Sequence, residues 1–352
     1  MSVFDSPSFR DHEQVGFWQD SSCGLRAIIA IHDTRRGPAL GGLRMWPYGD
    51  EAEAIEDVLR LSRGMTFKAA MADLPFGGGK AVILGDPRQD KSPALFASFG
   101  RFVDSLGGRY ITAEDVGIAP GDIEQVRRTT RHVAGIAEGG SDDGDPSPAT
   151  AWGVFHGLKA AVRHRLGRPD LQDLTVAVQG LGHVGWLLCR HLHDSGARLV
   201  VSDIDRNRLT EARAVFGAEA VDVDAIYDAD VDVYAPCALG ATLNDDSLPR
   251  LRASIVAGSA NNQLAEDRHG EALRARGILY APDYVINAGG IINISHEGPD
   301  YDRERAFAHC ARIGETLAEL FRRADRDGLA TAGMADRMAQ EILDSDERRQ
   351  AA

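Results

Sequence analysis

The stretch TVAVQGLGHVGWLLCRHLHDSGARLVVSDID, residues 175–205, decides the fold of this chain. It begins with a predicted apolar strand, continues as an amphipathic helix, and ends with a second strand just before Asp203. Between the first strand and the helix lie three glycines in G-x-G-x-x-G spacing, namely Gly180, Gly182 and Gly185. A lone match to this spacing is weak, but the surrounding strands, helix and acidic residue make it specific for a Rossmann-type βαβ unit.

The three glycines have separate predicted roles at a bound dinucleotide. Gly180 permits a tight turn, Gly182 lets the backbone approach the pyrophosphate, and Gly185 lets the helix pack against the strand. The pyrophosphate would lie at the positive end of the helix. We assign the other residues of this turn to the same cofactor site: Leu181, His183 and Val184.

Asp203 indicates which dinucleotide binds. A carboxylate at the end of the second strand can accept hydrogen bonds from the ribose hydroxyls, and it would repel a 2′-phosphate. We therefore expect NAD as the cofactor. Arg206 and Arg208 follow closely in the sequence, and they keep NADP open as the alternative.

The rest of the chain predicts an α/β protein of two domains. After residue 151 strands and helices alternate, which is typical of a parallel sheet with helices on both faces. The first 140 residues also mix strands and helices, and the loop EGGSDDGDPSP at 138–148 predicts a hinge. We expect one domain at 1–140, completed by about 330–352, and a Rossmann-type domain at 145–330.

Composition and charge exclude several classes of function. The net charge of −14 over 352 residues argues against nucleic acid or an anionic membrane as a partner. The chain contains no apolar run of about 18 residues, the length that predicts a spanning helix, and its N-terminus shows no secretory signal. The four cysteines lie far apart without CxxC spacing, so we expect reduced thiols in the cytoplasm and no metal site.

The segment RGMTFKAAMADLPFGGGK, residues 63–80, carries the candidate chemistry of the first domain. A helix is predicted at 50–63 and a short strand at 81–84, which makes GGG a predicted loop. Lys68 and Lys80 suit the binding of a carboxylate and, where burial or a neighbouring cation tunes the amine, general-base catalysis. A lone GGGK is equally compatible with an ordinary surface lysine after a glycine loop.

Six motifs together resemble the glutamate/leucine/phenylalanine/valine dehydrogenase family, with leucine-type members most similar. They are GPALGGLRM (37–45), RGMTFKAAMADLPFGGGKAVILGDP (63–87), RYITAEDVG (109–117), PSPATAWGV (146–154), GSANNQL (258–264) and YAPDYVINAGGIIN (280–293). The resemblance covers residues 12–345 in the family's order. It implies an N-terminal substrate-binding and oligomerisation domain, a C-terminal NAD domain with a cleft between them, and a homo-oligomer, either a dimer or an octamer.

The resemblance also implies a role for individual residues. Lys80 resembles the catalytic base that activates water, Asp115 the acid that exchanges a proton with the substrate nitrogen, and Lys68 the residue that binds the α-carboxylate. Substrate-site positions are carried over to Gly41, Gly42 and Met65. Positions near the nicotinamide or the substrate amine are carried over to Thr150, Asn261, Asn262 and Asn287, and which of the two adjacent asparagines faces the ligand stays open. Apart from the resemblance, Cys237 and Ala238 in APCALG are expected to line the cofactor crevice.

The substrate side-chain pocket is expected to be apolar. Glutamate-specific members of the family have lysine and serine where this chain has Leu40 and Ile294, and burying a carboxylate without such partners is costly. With Ala113 and Ile291, these positions favour a branched-chain amino acid such as leucine, valine or isoleucine. Phenylalanine and tryptophan stay open as substrates.

Two other classes of protein share parts of these patterns. A non-catalytic NAD-binding sensor would keep the glycine turn but should lack Lys68, Lys80 and Asp115. A hydroxy-acid dehydrogenase would need a catalytic histidine and arginine that the sequence does not indicate. His191 and His193 lie two residues apart on a predicted helix, so they point to different faces and are expected to be solvated.

Overall fold

The computed structural model describes residues 3–136 and 145–350. Residues 137–144 lie outside this description, and most of the loop predicted at 138–148 falls there. The chain divides into two compact units. The first unit comprises Met1–Asp145, Glu297–Tyr301 and Ala339–Ala352, and the second comprises Pro146–His296 and Asp302–Met338.

The first unit contains a five-stranded mixed sheet. Its strands are β1 (Gln14–Asp20), β2 (Leu25–Asp33), β3 (Ala39–Trp46), β4 (Gly77–Leu84) and β5 (Tyr110–Glu114), and its helices are α1 (Glu51–Met71), α2 (Pro93–Ser105) and α3 (Pro120–Arg127). The strand order is β1-β2-β4-β3-β5. β4 and β5 run parallel to β3, whereas β2 runs antiparallel to both β1 and β4.

The central strands of this sheet are buried on both faces. In β2, Ile29 and Ile31 belong to a core cluster that includes Phe96, Phe99 and Tyr110. Ile28 and Ala30 belong to a second cluster with residues of α1. Successive side chains of a strand point to opposite faces, so the long aliphatic run of β2 serves two cores at once.

Two predicted boundaries in the first unit were wrong. α1 begins as predicted, because the side chain of Asp50 accepts a hydrogen bond from the backbone N–H of Glu53, but it continues past Arg63 to Met71. The buried residues Thr66 and Phe67 extend its packed face, so Gly64 does not end the helix. The predicted GGG loop is the buried start of β4, which begins at Gly77 rather than at Ala81.

The second unit contains a fully parallel six-stranded sheet, as the alternating pattern predicts. Its strands are β6 (Thr175–Gln179), β7 (Arg198–Ser202), β8 (Glu219–Ala220), β9 (Val233–Pro236), β10 (Ile255–Val256) and β11 (Leu279–Tyr280), in the order β11-β10-β9-β6-β7-β8. All of the paired strands run parallel. The Rossmann-type α/β prediction is confirmed.

Helices connect these strands and complete the chain. They are α4 (Ser147–Leu166), α5 (His183–Asp194), α6 (Arg206–Phe216), α7 (Arg268–Ala275), α8 (Asp283–Ile286), α9 (Gly289–Ser295), α10 (Arg303–Ala311), α11 (Ile313–Asp327) and α12 (Thr331–Gln350). The single helix predicted at 306–323 is divided between α10 and α11 at Arg312. Within residues 3–136 and 145–350, no helix is both long and apolar enough to span a membrane. All four cysteines are free thiols.

Candidate active site

Lys80 and Asp115 form a contact across the first sheet. Lys80 lies on β4, Asp115 follows β5, and β3 runs between these two strands. The Nζ of Lys80 is 2.8 Å from Oδ2 of Asp115. The Lys80 side chain is only 6% exposed and that of Asp115 is 19% exposed. The two residues that the resemblance assigns to catalysis are therefore brought together.

Two glycines of β3 make this contact sterically feasible. A Cβ on Gly42 would lie 2.8 Å from the Cβ of Asp115 and 2.6 Å from the carbonyl oxygen of Glu114. A Cβ on Gly41 would overlap the carbonyl oxygen of Gly79, one residue before Lys80. Any side chain at these two positions would push β4 or the segment after β5 away from β3.

Arg44, which the sequence analysis gave no role, also contacts Asp115. Its Nε donates to Oδ2 of Asp115 at 3.0 Å, and its Nη1 donates to Oδ2 of Asp57, on α1, at 2.8 Å. Tyr48 donates its hydroxyl proton to the same Asp57 oxygen at 2.7 Å. The only sequence signal for Arg44 was its place in GGLRM, two residues after Gly42.

The charges around Asp115 favour its ionised form. Burial raises the pKa of the Asp115 carboxyl, but the opposite charges of Lys80 and Arg44 outweigh burial, so this pKa lies below its ordinary value. Burial raises the pKa of the neighbouring Glu114, and the charges of Asp145 and Asp115 raise it further. Asp115 is therefore a carboxylate that can accept a proton, beside a lysine that can exchange one.

Lys68 and Met65 lie near the end of α1 and are half-buried. The adjacent Thr66 packs directly against β4, because a Cβ on Gly78 would overlap the backbone nitrogen of Thr66. Gly78, two residues before Lys80, thus lets the end of α1 pack closely against the strand that carries Lys80.

The four predicted pocket residues divide between the two units. Leu40 on β3 and Ala113 on β5 belong to the first unit and are buried. Ile291 is buried on α9, in the second unit, and Ile294 is half-buried on the same helix.

The glycine turn of the second unit has the geometry that its spacing predicts. Gly180 has φ +97°, a left-handed conformation that favours glycine, and a Cβ there would lie 2.7 Å from the Cβ of Ala238. A Cβ on Gly185 would overlap the carbonyl oxygen of Gly180, so this glycine allows α5 to approach β6. Gly182 precedes α5 and has open space where a Cβ would stand.

Asp203 is tied to this turn. Its Oδ2 accepts a hydrogen bond from the backbone N–H of Leu181 at 2.6 Å, and its Oδ1 accepts one from the N–H of Asp205 at 2.8 Å. His183 and Val184 form the first turn of α5, where His183 is exposed. Cys237 follows β9, and a Cβ on Gly185 would lie 3.3 Å from its Cβ. Burial raises the pKa of the Cys237 thiol, which does not favour a nucleophilic role.

A cluster of amide side chains lies beside the end of β10. Asn287 donates from Nδ2 to Oδ1 of Asn261 at 2.7 Å and to the carbonyl oxygen of Ser259 at 3.1 Å. Its buried Oδ1 has no hydrogen-bond partner among the described residues. Asn262 is exposed and has φ +50°. Thr150 donates to the carbonyl oxygen of Pro146 at 2.8 Å, and a Cβ on Gly290 would lie 3.0 Å from its Oγ1.

The prediction that both helix histidines are solvated was wrong for His191. Its ring is half-buried and packs against Trp152 and Phe155, with ring centroids 5.2 Å and 5.4 Å away. His193 is exposed and its ring lies 5.7 Å from that of Phe216. The two rings do point to different faces of α5, and the apolar residues of α4 cover one of these faces.

Two family models match most of the chain. One is described as Glu/Leu/Phe/Val dehydrogenase, dimerisation domain, and matches residues 12–132. The other is described as Glutamate/Leucine/Phenylalanine/Valine dehydrogenase and matches residues 139–207 and 202–298. The chain belongs to this dehydrogenase family. It is therefore an amino-acid dehydrogenase, an oxidoreductase.

Individual relatives of this amino-acid dehydrogenase support the same assignment. Leucine dehydrogenase of Thermoactinomyces intermedius is 52% identical over 344 residues, which are 98% of this chain and 94% of that protein. L-tryptophan dehydrogenase of Nostoc punctiforme is 48% identical over 349 residues, 99% of this chain and 98% of that protein. The crystal structure of L-tryptophan dehydrogenase from Nostoc punctiforme matches with a TM-score of 0.85 at 47% identity, covering 96% of this chain and 97% of the other.

Proposed function

We propose that this amino-acid dehydrogenase uses NAD to deaminate a branched-chain L-amino acid, giving the 2-oxo acid and ammonia in a reversible reaction. The observation that carries this proposal is the buried contact between Lys80 and Asp115, at 2.8 Å. A non-catalytic NAD-binding sensor would not need a buried base and acid in contact. Maintaining a buried ion pair has a desolvation cost that structural stability alone does not justify.

The second unit fits a dinucleotide cofactor. The open space at Gly182 leaves room for a pyrophosphate at the N-terminus of α5, and Asp203 stands at the end of β7 for the ribose hydroxyls. The unpaired Oδ1 of Asn287 suits the N–H of a carboxamide or amine. When bound, the nicotinamide supplies the acceptor for a hydride from the substrate Cα. Thr150, Cys237, Ala238, Asn261 and Asn262 complete the residues that we assign to its site.

The side chains of the first unit perform the proton chemistry in this proposal. Lys68 binds the substrate α-carboxylate, and the glycines at 41 and 42 leave the space that the substrate backbone needs. Lys80, as a free amine, accepts a proton from the water that attacks the oxidised Cα. Asp115 receives a proton from the substrate nitrogen and later returns one, so that nitrogen leaves as ammonia. Both groups lie within proton-transfer distance of each other, which lets them share a proton between steps.

The substrate class follows from Leu40, Ala113, Ile291 and Ile294, which offer no charged group to a substrate side chain. A glutamate carboxylate held against such residues would be desolvated without a partner. We assign Met65, half-buried on α1, to the same substrate site. An aromatic substrate is the second candidate, and the similarity to L-tryptophan dehydrogenase favours it specifically.

The test is a matrix of kcat/KM with NAD⁺ for valine, leucine, isoleucine, phenylalanine, tryptophan and glutamate. We expect the highest values for the branched-chain substrates and strong rejection of glutamate. Ile294→Ala should move the preference toward phenylalanine by about 1–3 kcal/mol, the range that methylene groups allow. Leu40→Lys should raise relative activity on glutamate. A wild type that prefers tryptophan or phenylalanine would refute the branched-chain assignment but not the chemistry.

We also propose that the enzyme is a homo-oligomer, either a dimer or an octamer, located in the cytoplasm. The description of the family model at residues 12–132 as a dimerisation domain supports self-association. Four free thiols agree with a reducing compartment. Light scattering on the purified protein measures the mass, and a monomer of 38.0 kDa would contradict the first of these two proposals.

A further inference from the structure

Asp115 is contacted by two cations at the same oxygen. Lys80 Nζ and Arg44 Nε lie 2.8 Å and 3.0 Å from Oδ2. Among the described residues none donates a hydrogen bond to the other oxygen, Oδ1. The arrangement is asymmetric: one oxygen is held by the protein and the other is left for a proton-exchanging partner.

Arg44 is itself held in place from two sides. β3 fixes its backbone beside Val82 of β4, and Asp57 of α1 accepts a hydrogen bond from its Nη1 at 2.8 Å. Tyr48 donates to the same Asp57 carboxylate, and burial together with the Asp57 charge raises the pKa of Tyr48 well above its ordinary value, so Tyr48 keeps the proton that it donates. The Arg44 side chain is 18% exposed. The guanidinium is therefore a charge with a fixed position rather than a mobile surface cation.

Lys80 and Arg44 differ in what happens to their charges during the proposed reaction. A lysine that takes a proton from water must be uncharged before that step. An arginine side chain does not lose its proton in proteins. When Lys80 is uncharged, Arg44 is the cation left in contact with the largely buried Asp115 carboxylate. Without Arg44 the carboxylate would be ionised and unpaired, a state that burial penalises strongly.

We propose, resting on the function proposed above, that Arg44 is a positioning residue that keeps Asp115 ionised while Lys80 is uncharged and leaves Oδ1 free to exchange protons with the substrate nitrogen. The charged and titratable groups that face Asp115 come from several elements. They are Lys80 from β4, Arg44 from β3, Tyr48 from the segment after β3, and Tyr110 and Glu114 from β5. Asp57 acts on Asp115 through Arg44.

The direction of the effect on pH dependence follows from these charges. Loss of the Arg44 cation makes proton binding more favourable for the Lys80–Asp115 pair as a unit. The pair then releases its shared proton only at a higher pH. The rising limb of kcat against pH for oxidative deamination is therefore expected to move to higher pH when Arg44 is replaced by a neutral residue.

The experiment measures kcat and KM against pH with L-leucine and NAD⁺ for wild type, Arg44→Met, Arg44→Lys and Arg60→Met. We expect Arg44→Met to shift the rising limb of kcat to higher pH by about one unit and to lower kcat near neutral pH about tenfold. The KM for leucine should change less. Arg44→Lys, which keeps the charge but not the two-pronged contact, should restore the limb and only part of kcat.

Arg60→Met is the matched control. Arg60 donates a hydrogen bond to Oδ1 of Asp57 at 3.3 Å, whereas Arg44 uses Oδ2, and the Arg60 side chain is 57% exposed. The pH profile of Arg60→Met should therefore superimpose on that of wild type. An unchanged limb in Arg44→Met would overturn the proposal, as would an equal shift in Arg60→Met. If circular dichroism shows that Arg44→Met does not fold, it is replaced by Arg44→Gln, which keeps a donor for Asp57. The same shift of the rising limb to higher pH is expected.

A titration without substrate separates this proposal from the proposed function. In protein labelled with ¹³C at aspartate carboxyls, with Asp115→Asn used to assign the signal, Asp115 should become protonated at a higher pH in Arg44→Met than in wild type. Equal titration would overturn the role of Arg44 even if leucine is turned over. The expected shift in a protein that oxidises no amino acid would instead refute the proposed function and leave the Arg44–Asp115 coupling supported.

Discussion

The glycines at the start of β4 and those in the turn after β6 are similar in sequence and different in structure. In β4 the three residues Gly77–Gly79 are buried and extended, and other parts of the chain occupy the space beside them. In the turn, Gly180 adopts a left-handed conformation and Gly182 borders open space. The β4 glycines exclude side chains so that neighbouring elements can approach. In the turn, Gly182 leaves the backbone accessible to the cofactor that we propose.

This difference explains why the structure of the turn was predicted correctly from the sequence and that of the β4 glycines was not. A glycine run immediately before a lysine looks like a flexible loop, but flexibility is not the property that β4 uses. A substitution at a glycine of β4, or at the β3 glycine packed against Gly79, should therefore reduce stability, whereas a substitution at Gly182 should reduce ligand binding and leave the fold intact. Four predictions follow this contrast from the largest expected effect to the smallest.

Gly41→Ala should have the largest effect on stability. Its Cβ would overlap the backbone carbonyl of Gly79, which a shift of side chains cannot relieve. We expect a loss of about 3 kcal/mol in the free energy of unfolding, at the upper end for overpacking. Urea denaturation measures the loss. Gly64→Ala is the control, because outside the local backbone of α1 no atom lies within 4 Å of its Cβ position, and alanine favours a helix by up to about 1 kcal/mol. Equal stability of the two variants would contradict the steric interpretation.

Lys80→Ala should remove most of the activity. We expect kcat to fall roughly 10²-fold or more, the scale for loss of a general base. Lys91→Ala is the control, because Lys91 lies before α2 and pairs with Asp122 rather than with Asp115. Steady-state rates with leucine and NAD⁺ measure both variants. Near wild-type turnover by Lys80→Ala would exclude Lys80 as the base.

Asp203→Ser tests the cofactor assignment in the second unit. Loss of the carboxylate removes hydrogen bonds to a charged group, which contribute about 1.5–3 kcal/mol each, so the KM for NAD⁺ should rise more than about tenfold. The preference for NAD⁺ over NADP⁺ should narrow because the repulsion of a 2′-phosphate is also lost. Asp230→Ser, an exposed carboxylate of the same unit, serves as the control. If wild type prefers NADP⁺, Arg206 and Arg208 become the candidate phosphate-binding residues.

Gly182→Ala should have the smallest effect and should sharpen the contrast most. The methyl group meets no protein atom within 4 Å, and Gly182 has φ −63°, which alanine adopts readily. The melting temperature should therefore stay within about 2 °C of wild type, as for a change of under about 0.5 kcal/mol. The KM for NAD⁺ should rise about fivefold, a change near 1 kcal/mol. A large fall in melting temperature with unchanged KM would reverse the comparison.

Local sequence patterns predicted the second unit better than the first. The order of β6, the glycine turn, α5 and β7 follows from periodicity over about thirty residues, because each element neighbours the next in the chain. The contact between Lys80 and Asp115 joins residues 35 positions apart and depends on β3 lying between β4 and β5. No local pattern encodes that strand order. The GGGK segment marked Lys80 as a candidate, but only the resemblance to a family identified Asp115 and joined the two residues in one site.

The roles of Arg44 and Asp57 could not be predicted for a related reason. A single arginine in a strand and a single aspartate on a helix are common features of soluble proteins, and only the packing of α1 on the sheet shows that they meet. The extension of α1 to Met71 was missed because glycine is a weak helix former, and its cost was offset by tertiary contacts of Phe67 and Ala70.

The packing of Thr66 against Gly78 has a consequence for the substrate orientation that we propose. Lys68 stands two residues beyond Thr66 on one rigid helix, and Lys80 stands two residues beyond Gly78 on a buried strand. The separation of these lysines is therefore set when the chain folds, and the substrate need not impose it. Part of the entropy loss that would accompany a bimolecular encounter therefore occurs on folding instead. Preorganisation of this kind accelerates reactions without any additional contact to the transition state.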